Sequence, residues 1–426
     1  MKIKIATVAL AIATSSACTS EVDSSKATQV NQQETSSYSP NSADVKRLRE
    51  TKQCQGCNLA GADLSGANLK GGNLQGSDLR AANLSGANLN QVNLTQADLR
   101  QANLSKANLK GAKLTAAQLN WTEGNTNSRA NLRQADLSKA NLITAYLRGA
   151  DLSEANLSGA FLHATDLTQA ILSKANLSKA DFVGVKVSNG DLSNANLQGT
   201  NLLGANLSEA NLSNANLQGA NLQAASLNRA ILSQANLNKA NLVLAKLNGA
   251  NLSGASLKEA NSFAAILPDT NFNKANMQKA YLHGVELSRA NLSGANLIQS
   301  DLSAAILNSA NLSSANLKGS NLKRASLAIA DLSNVNLQGV NLQGADLTKA
   351  KLTQADLIKT NLAQAYLTDT DLSSADLQEA NLRGAKLSGA NFKSANLKNV
   401  VGLNKPLITS NGQQSLSNTS HNQHDQ

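Results

Sequence analysis

Two cysteines, Cys54 and Cys57, stand three residues apart and are the first place to look for chemistry in this chain of 426 residues. A Cys-x-x-Cys pair suits a redox couple or half of a zinc site, but no second pair and no nearby histidine completes four ligands. Three uses remain open for the pair: a disulfide, plain packing, or redox exchange. Histidine offers less, because two of the four lie in the C-terminal tail while His163 and His283 are 120 residues apart. Asp63, Asp78 and Asp136 recur at one fixed place in a repeat, so pairs of carboxylates here are products of repetition rather than an acid/base dyad. No Gly-rich phosphate loop is present either. The expectation is a protein that is not an enzyme, with no catalytic residue, cofactor, metal or small-molecule substrate.

The elements that hold these residues follow from the repeat. A Leu falls on every fifth residue from Leu59 to Leu119, and the beat resumes from Leu132 to Leu397, where only Ser262 is not hydrophobic. Phe182, Val187, Phe272, Met277 and Phe392 are conservative replacements on it. A small residue, usually Ala, stands two before each Leu, and Asn or Asp most often lies between them. On an α-helix, at about 100° per residue, a period of five scatters Leu around every side and buries none of it. On a strand an odd period sends successive Leu to opposite faces, so one corner per unit is needed to restore parity. Ala and Leu then point inward, and Asn, Asp and Gly are expected at the bends.

The residue after each Leu suggests how many units make a turn. It is usually polar, yet Ile143, Val183, Leu203, Val243 and Phe263 are separated by multiples of twenty, with His163, Gln223 and His283 on the other rungs of that series. Lys139, Lys179, Lys239, Lys279 and Lys359 keep the same spacing. Both point to four units per turn. With units such as Ala67-Asn68-Leu69-Lys70-Gly71 and Ala205-Asn206-Leu207-Ser208-Glu209, the chain resembles the pentapeptide-repeat proteins over roughly residues 53 to 400. The resemblance implies an all-β fold, a right-handed quadrilateral β-helix of about 17 turns. At about 4.8 Å per stacked strand that is a rod roughly 80 Å long.

The ends carry other expectations. Residues 1–17, with Lys2 and Lys4 before the apolar run from Ile5 to Ala13, read as a signal peptide too short to span a membrane. Ser15-Ser16-Ala17-Cys18 resembles a bacterial lipoprotein signal that would acylate Cys18, although ordinary cleavage before Cys18 reads equally well. Residues 18–44, rich in Ser, Thr, Gln and Asn, are expected to be a disordered tether. Residues 45–52 are expected to form a helical N-terminal cap with Asp44 as its N-cap. Repeats at 53–119 and 130–400 flank a loop at 120–129, in which three residues exceed the phase, and 401–426 form a C-terminal cap and disordered tail. The Cys-x-x-Cys opening resembles cyanobacterial members, which implies export to the periplasm or thylakoid lumen.

Charge separates the candidate partners. The whole chain carries +10, of which residues 46–400 hold +11. Some pentapeptide-repeat proteins imitate DNA with an acidic rod, and a basic one fits that badly. Aromatic residues are only 2% of the chain, so stacking on nucleic acid is also poorly served. The expected partner is an unknown protein or a second copy, with membrane anchoring possible through Cys18. The candidate surface is the series Ile143, Val183, Leu203, Val243 and Phe263, with Phe161 and Tyr281 beside it and Trp121 in the loop. The alternative is an intracellular, DNA-mimicking or nucleic-acid-associated regulator.

Overall fold

The computed structural model describes residues 38–120, 129–403, 407–408 and 414–415. Its repeats form a β-solenoid in which the residue before each central Leu makes a parallel bridge to its equivalent in the next turn. Bridges such as Asn201↔Asn221 and Asn221↔Asn241 keep a separation of twenty residues, or four units. Within a unit the chain hydrogen-bonds in both directions along the stack: Asn201 N–H donates to Ala180 O at 3.0 Å and Leu202 N–H to Asn221 O at 2.7 Å. Almost every beat residue is buried. At about 1.5–3 kcal/mol per buried Leu, stability is spread along the stack instead of residing in one core.

The corners are four-residue turns. Ala205 N–H donates to Leu202 O at 3.0 Å across Leu203 and Gly204, and Gly204 has φ +64°, the positive angle that a type II turn requires at its third residue. This last position of the unit is left-handed throughout, also where it is Lys239 (φ 59°) or Leu244 (φ 59°). A left-handed residue other than Gly costs about 1–2 kcal/mol. The cost is offset by its own N–H, which joins the next turn, as Lys239 N–H does to Lys258 O at 2.9 Å.

Some Asn and Asp fill this place as expected, such as Asn189 (φ 56°) and Asp269 (φ 57°), but most do not supply the left-handed residue. They stand one residue before the beat, where their side chains do two other jobs. Asn83 Oδ1 accepts from Ser85 N–H at 3.2 Å, a local bond that fixes the start of the corner. Asn amides also ladder from turn to turn, as from Asn176 to Asn156 at 3.1 Å and from Asn196 to Asn176 at 3.2 Å.

Three boundaries differ from expectation. Helix α1 spans Ser42–Thr51 and its N-cap is Asn41, whose Oδ1 accepts from Ala43 N–H at 2.9 Å and Asp44 N–H at 3.2 Å. Asp44 is not the cap because its carboxylate is engaged elsewhere, accepting from Asn58 N–H at 2.9 Å. The residues before α1 are also placed: Asn41 N–H donates to Asn58 O at 2.9 Å and Tyr38 lies 5.3 Å from the Arg80 guanidinium, so an unstructured tether cannot reach residue 44. At the loop, Asn103 pairs with Asn131 and Gln118 with Tyr146, a separation of 28. The thirteen-residue step from Leu119 to Leu132 is thus a single unit with eight residues added, not two units with three.

At the far end Val401 still bridges to Asn381, one residue beyond the expected limit of the repeat. Strands β1 (Leu407–Ile408) and β2 (Gln414–Ser415) pair antiparallel within the segment expected to be cap and tail. No helix among the described residues is long and apolar enough to cross a membrane. The expected signal peptide, Cys18 and most of the tether lie outside the described residues, as does Trp121.

Candidate interaction wall and start cap

Twenty-residue pairing turns the sequence into columns, and one wall of the stack differs from the others. Its bridging column includes Phe161, Asp181, Asn201 and Tyr281, and two residues on from each stand His163, Val183, Leu203 and His283. The last, left-handed column of this wall reads Thr144, Ala164, Gly184, Gly204, Ala224, Leu244, then Ala264, Gly284 and Ala304. On the other three walls that column carries Lys, Arg, Glu or Asp at many rungs, such as Lys179, Glu209, Arg229 and Lys279. From Asn141 to Ala304 this wall has no Lys or Arg and only two carboxylates, Asp181 and Asp301. The net positive charge of the solenoid therefore lies elsewhere.

The structure brings the predicted surface residues other than Trp121, which lies outside the described residues, onto this one wall, with Ile143, Val183 and Val243 half-buried between their neighbours. Phe161 (48%), Leu203 (38%), Phe263 (40%) and Tyr281 (43%) are exposed, too much apolar surface for a side-chain ladder that only covers itself. Phe263, Tyr281 and His283 form a stacked group, with Phe263 and His283 centroids 5.7 Å apart and rings 6° from parallel. His163 Nε2 lies 2.5 Å from Asp181 Oδ2, and His283 Nδ1 lies 2.8 Å from Ser303 Oγ. These contacts orient both imidazoles along the wall but bring no two histidines together.

Leu244, 51% exposed, belongs to the wall and is not among the residues predicted from the sequence. Its signal was available: in the repeats after the loop only Leu244 and Ile329 put a large apolar residue at the last place of a unit. Ser262 is buried at its beat and keeps the register on both sides, Asn241↔Asn261 and Asn261↔Tyr281, so it marks no register change. The larger Phe272 stands two beats further on, and it and Met277 are among the residues that line a void of about 10 Å³ with Ser262.

At the start of the solenoid Cys54 and Cys57 are bonded, with Cα atoms 5.3 Å apart, and both are buried. Asp44 brings a carboxylate within 4.8 Å of both sulfurs, but sulfurs bonded to each other are not thiolate ligands for a metal. Arg47 Nη2 reaches Cys57 Sγ at 2.6 Å and Asp44 Oδ1 at 3.1 Å, tying α1 to the first turn. Nearby, the Arg80 guanidinium hydrogen-bonds Asp78 and holds that carboxyl below the usual carboxylate range, despite partial burial that opposes the shift.

The model of pentapeptide repeats matches the chain over residues 53–120, 128–261 and 264–401. Among solved structures, HetL of the cyanobacterium Nostoc, involved in heterocyst differentiation regulation, is 33% identical over 61% of this chain and 90% of its own, at a TM-score of 0.21. A pentapeptide repeat protein of the Arabidopsis thaliana thylakoid lumen is 31% identical over 23% of this chain and 68% of its own, at a TM-score of 0.22. QnrB1, a plasmid-mediated fluoroquinolone resistance protein, is 16% identical over 39% of this chain and 88% of its own, at a TM-score of 0.24. No protein of curated function matches the chain in sequence. Residue pattern, bridge register and family model agree, and the chain belongs to the pentapeptide repeat family.

Proposed function

We propose that this protein is an exported, non-enzymatic interaction rod that docks a protein through its charge-poor wall. The rod is a right-handed, four-sided β-helix of about 17 turns, a cross-section supported by the twenty-residue register. The observation that carries the docking role is the wall from Asn141 to Ala304, which exposes Phe161, Leu203, Leu244, Phe263 and Tyr281 and lacks Lys and Arg. Interfaces are depleted of charge at their centre and enriched in aromatic residues, which is the composition of this wall. Export is supported by the leader pattern of residues 1–17 and by the buried Cys54–Cys57 disulfide, a bond that persists in oxidising compartments. Acylation of Cys18 would hold the rod at a membrane surface. The DNA-mimicking alternative has no support in charge, since the solenoid is basic.

Cell fractionation with palmitate labelling tests this proposal. The expected result is a processed protein in an exported fraction, and label that enters the chain but not its Cys18→Ser variant would add the anchor. A soluble, unprocessed cytoplasmic protein would reject export and return the DNA-associated alternative.

A further inference from the structure

Read along its axis, the charge-poor wall is close to a palindrome. Taking the rung of Asn221 and Gln223 as the centre, Leu203 lies one rung before it and Val243 one rung after. Two rungs out stand Val183 and Phe263. Three rungs out, Phe161 with His163 is answered by Tyr281 with His283, aromatic to aromatic and imidazole to imidazole in the same columns. The pattern ends one rung further, where Ile143 would be matched by Ser303.

From this we infer that the occupant of the wall is a second copy of the chain, packed antiparallel about a two-fold axis that runs along the strands through the Asn221 rung. The inference rests on the docking role proposed for the same wall. A two-fold contact is isologous, so the patch must complement itself. With this axis each rung meets the rung equally far on the other side of the centre, and each column meets itself. A palindrome is the pattern this geometry needs. Two parallel rods would set each rung against its own copy and would need none.

The residues that break the mirror do so in complementary ways. Leu244 protrudes one rung after the centre, and its mate one rung before is Gly204, which has no side chain. The large ring of Phe263 meets the smaller Val183. Asp181 meets Asn261, so a carboxylate faces an amide rather than another carboxylate. The remaining mates in the left-handed column, Ala164 with Gly284 and Gly184 with Ala264, are small on both sides and let the backbones approach.

The area fixes the strength expected. Seven rungs extend about 29 Å, and three outward residues per rung span about 10 Å. That is about 300 Å² of flat face per copy, below the roughly 1,200 Å² in total that stable complexes bury. The dimer is therefore weak and reversible, and a membrane anchor would favour it by raising the local concentration.

Thiol cross-linking of the purified full chain under mild oxidation tests the arrangement. Protein carrying Phe161→Cys, mixed with protein carrying Tyr281→Cys, is expected to form a mixed disulfide between the two introduced thiols, identified by peptide mapping. Either variant alone should form no such bond, because its own copies lie six rungs apart. Sedimentation should show a concentration-dependent dimer, lost in Leu203→Lys with Val243→Lys while far-ultraviolet circular dichroism is unchanged. Self-linking of Phe161→Cys alone would mean parallel rods and would overturn the inference. A monomer at every concentration would overturn it too, and adducts formed from position 203 with a different protein in cells would then show that the wall still docks a partner.

Discussion

Leu placed at position 262 is expected to destabilise the protein by about 1–3 kcal/mol, although Leu occupies nearly every other beat. Ser262 is 2% exposed, and the void it shares with Phe272, Met277 and the neighbouring Leu residues is about 10 Å³. That is about the space of one water, too little for the extra carbons of Leu while the bulky Phe272 ring shares the void. Phe272→Leu alone is expected to cost on the order of 1–2 kcal/mol by enlarging the void. Together, Ser262→Leu and Phe272→Leu restore the ordinary rung, and their effects should largely cancel. A double-mutant cycle, followed by hydrogen exchange of the amides in residues 257–287, measures the coupling. Simple addition of the two costs would show that the small and large residues do not compensate each other.

Leu48→Ala is expected to cost about 2–5 kcal/mol, confined to the beginning of the solenoid. Leu48 is wholly buried and is the one fully buried side chain of α1. It lies over an open end whose first turn pairs in one direction only, as Gln53 does with Asn73. Val45 packs beside it, and the polar ties include Asn41 N–H to Asn58 O at 2.9 Å, Asp44 to Asn58 N–H at 2.9 Å, Arg49 to Asp63 O at 3.2 Å and the Arg47 contact to Cys57 at 2.6 Å. When α1 loosens, unpaired backbone groups become available to other chains. Amides of residues 53–72 should lose hydrogen-exchange protection while those of residues 200–300 keep theirs, and end-to-end aggregation should rise. Equal loss along the whole rod would mean that the solenoid unfolds as one cooperative unit and not from its end.

The interior of this protein was legible in its sequence because two side chains in five must point inward, and the beat residue with the small residue two before it says which. The corners were less legible. Several residue types can occupy a left-handed position when the N–H of that residue bonds to the next turn, so Lys239 and Leu244 stand where Gly was the natural guess. Asn41 and Asp44 are equally good caps in isolation, and the choice between them is made by Asn58, fourteen residues beyond Asp44, which takes the Asp44 carboxylate. The loop insertion was ambiguous for an arithmetic reason, since thirteen is both ten plus three and five plus eight, and only pairing partners tell these apart. On the wall, the apolar column after the beat was visible as a series, but the run of small residues beside it becomes visible only when rungs are stacked.

The claim that this wall is the working surface is tested most directly in living cells. A photo-reactive residue placed at Leu203 is compared with one at Ser213, which lies two walls further round the same turn. The account predicts covalent adducts of defined mass from Leu203, either of twice the chain mass or with one partner, and none from Ser213. Adducts from Ser213 with none from Leu203 would contradict it, and so would their absence from both.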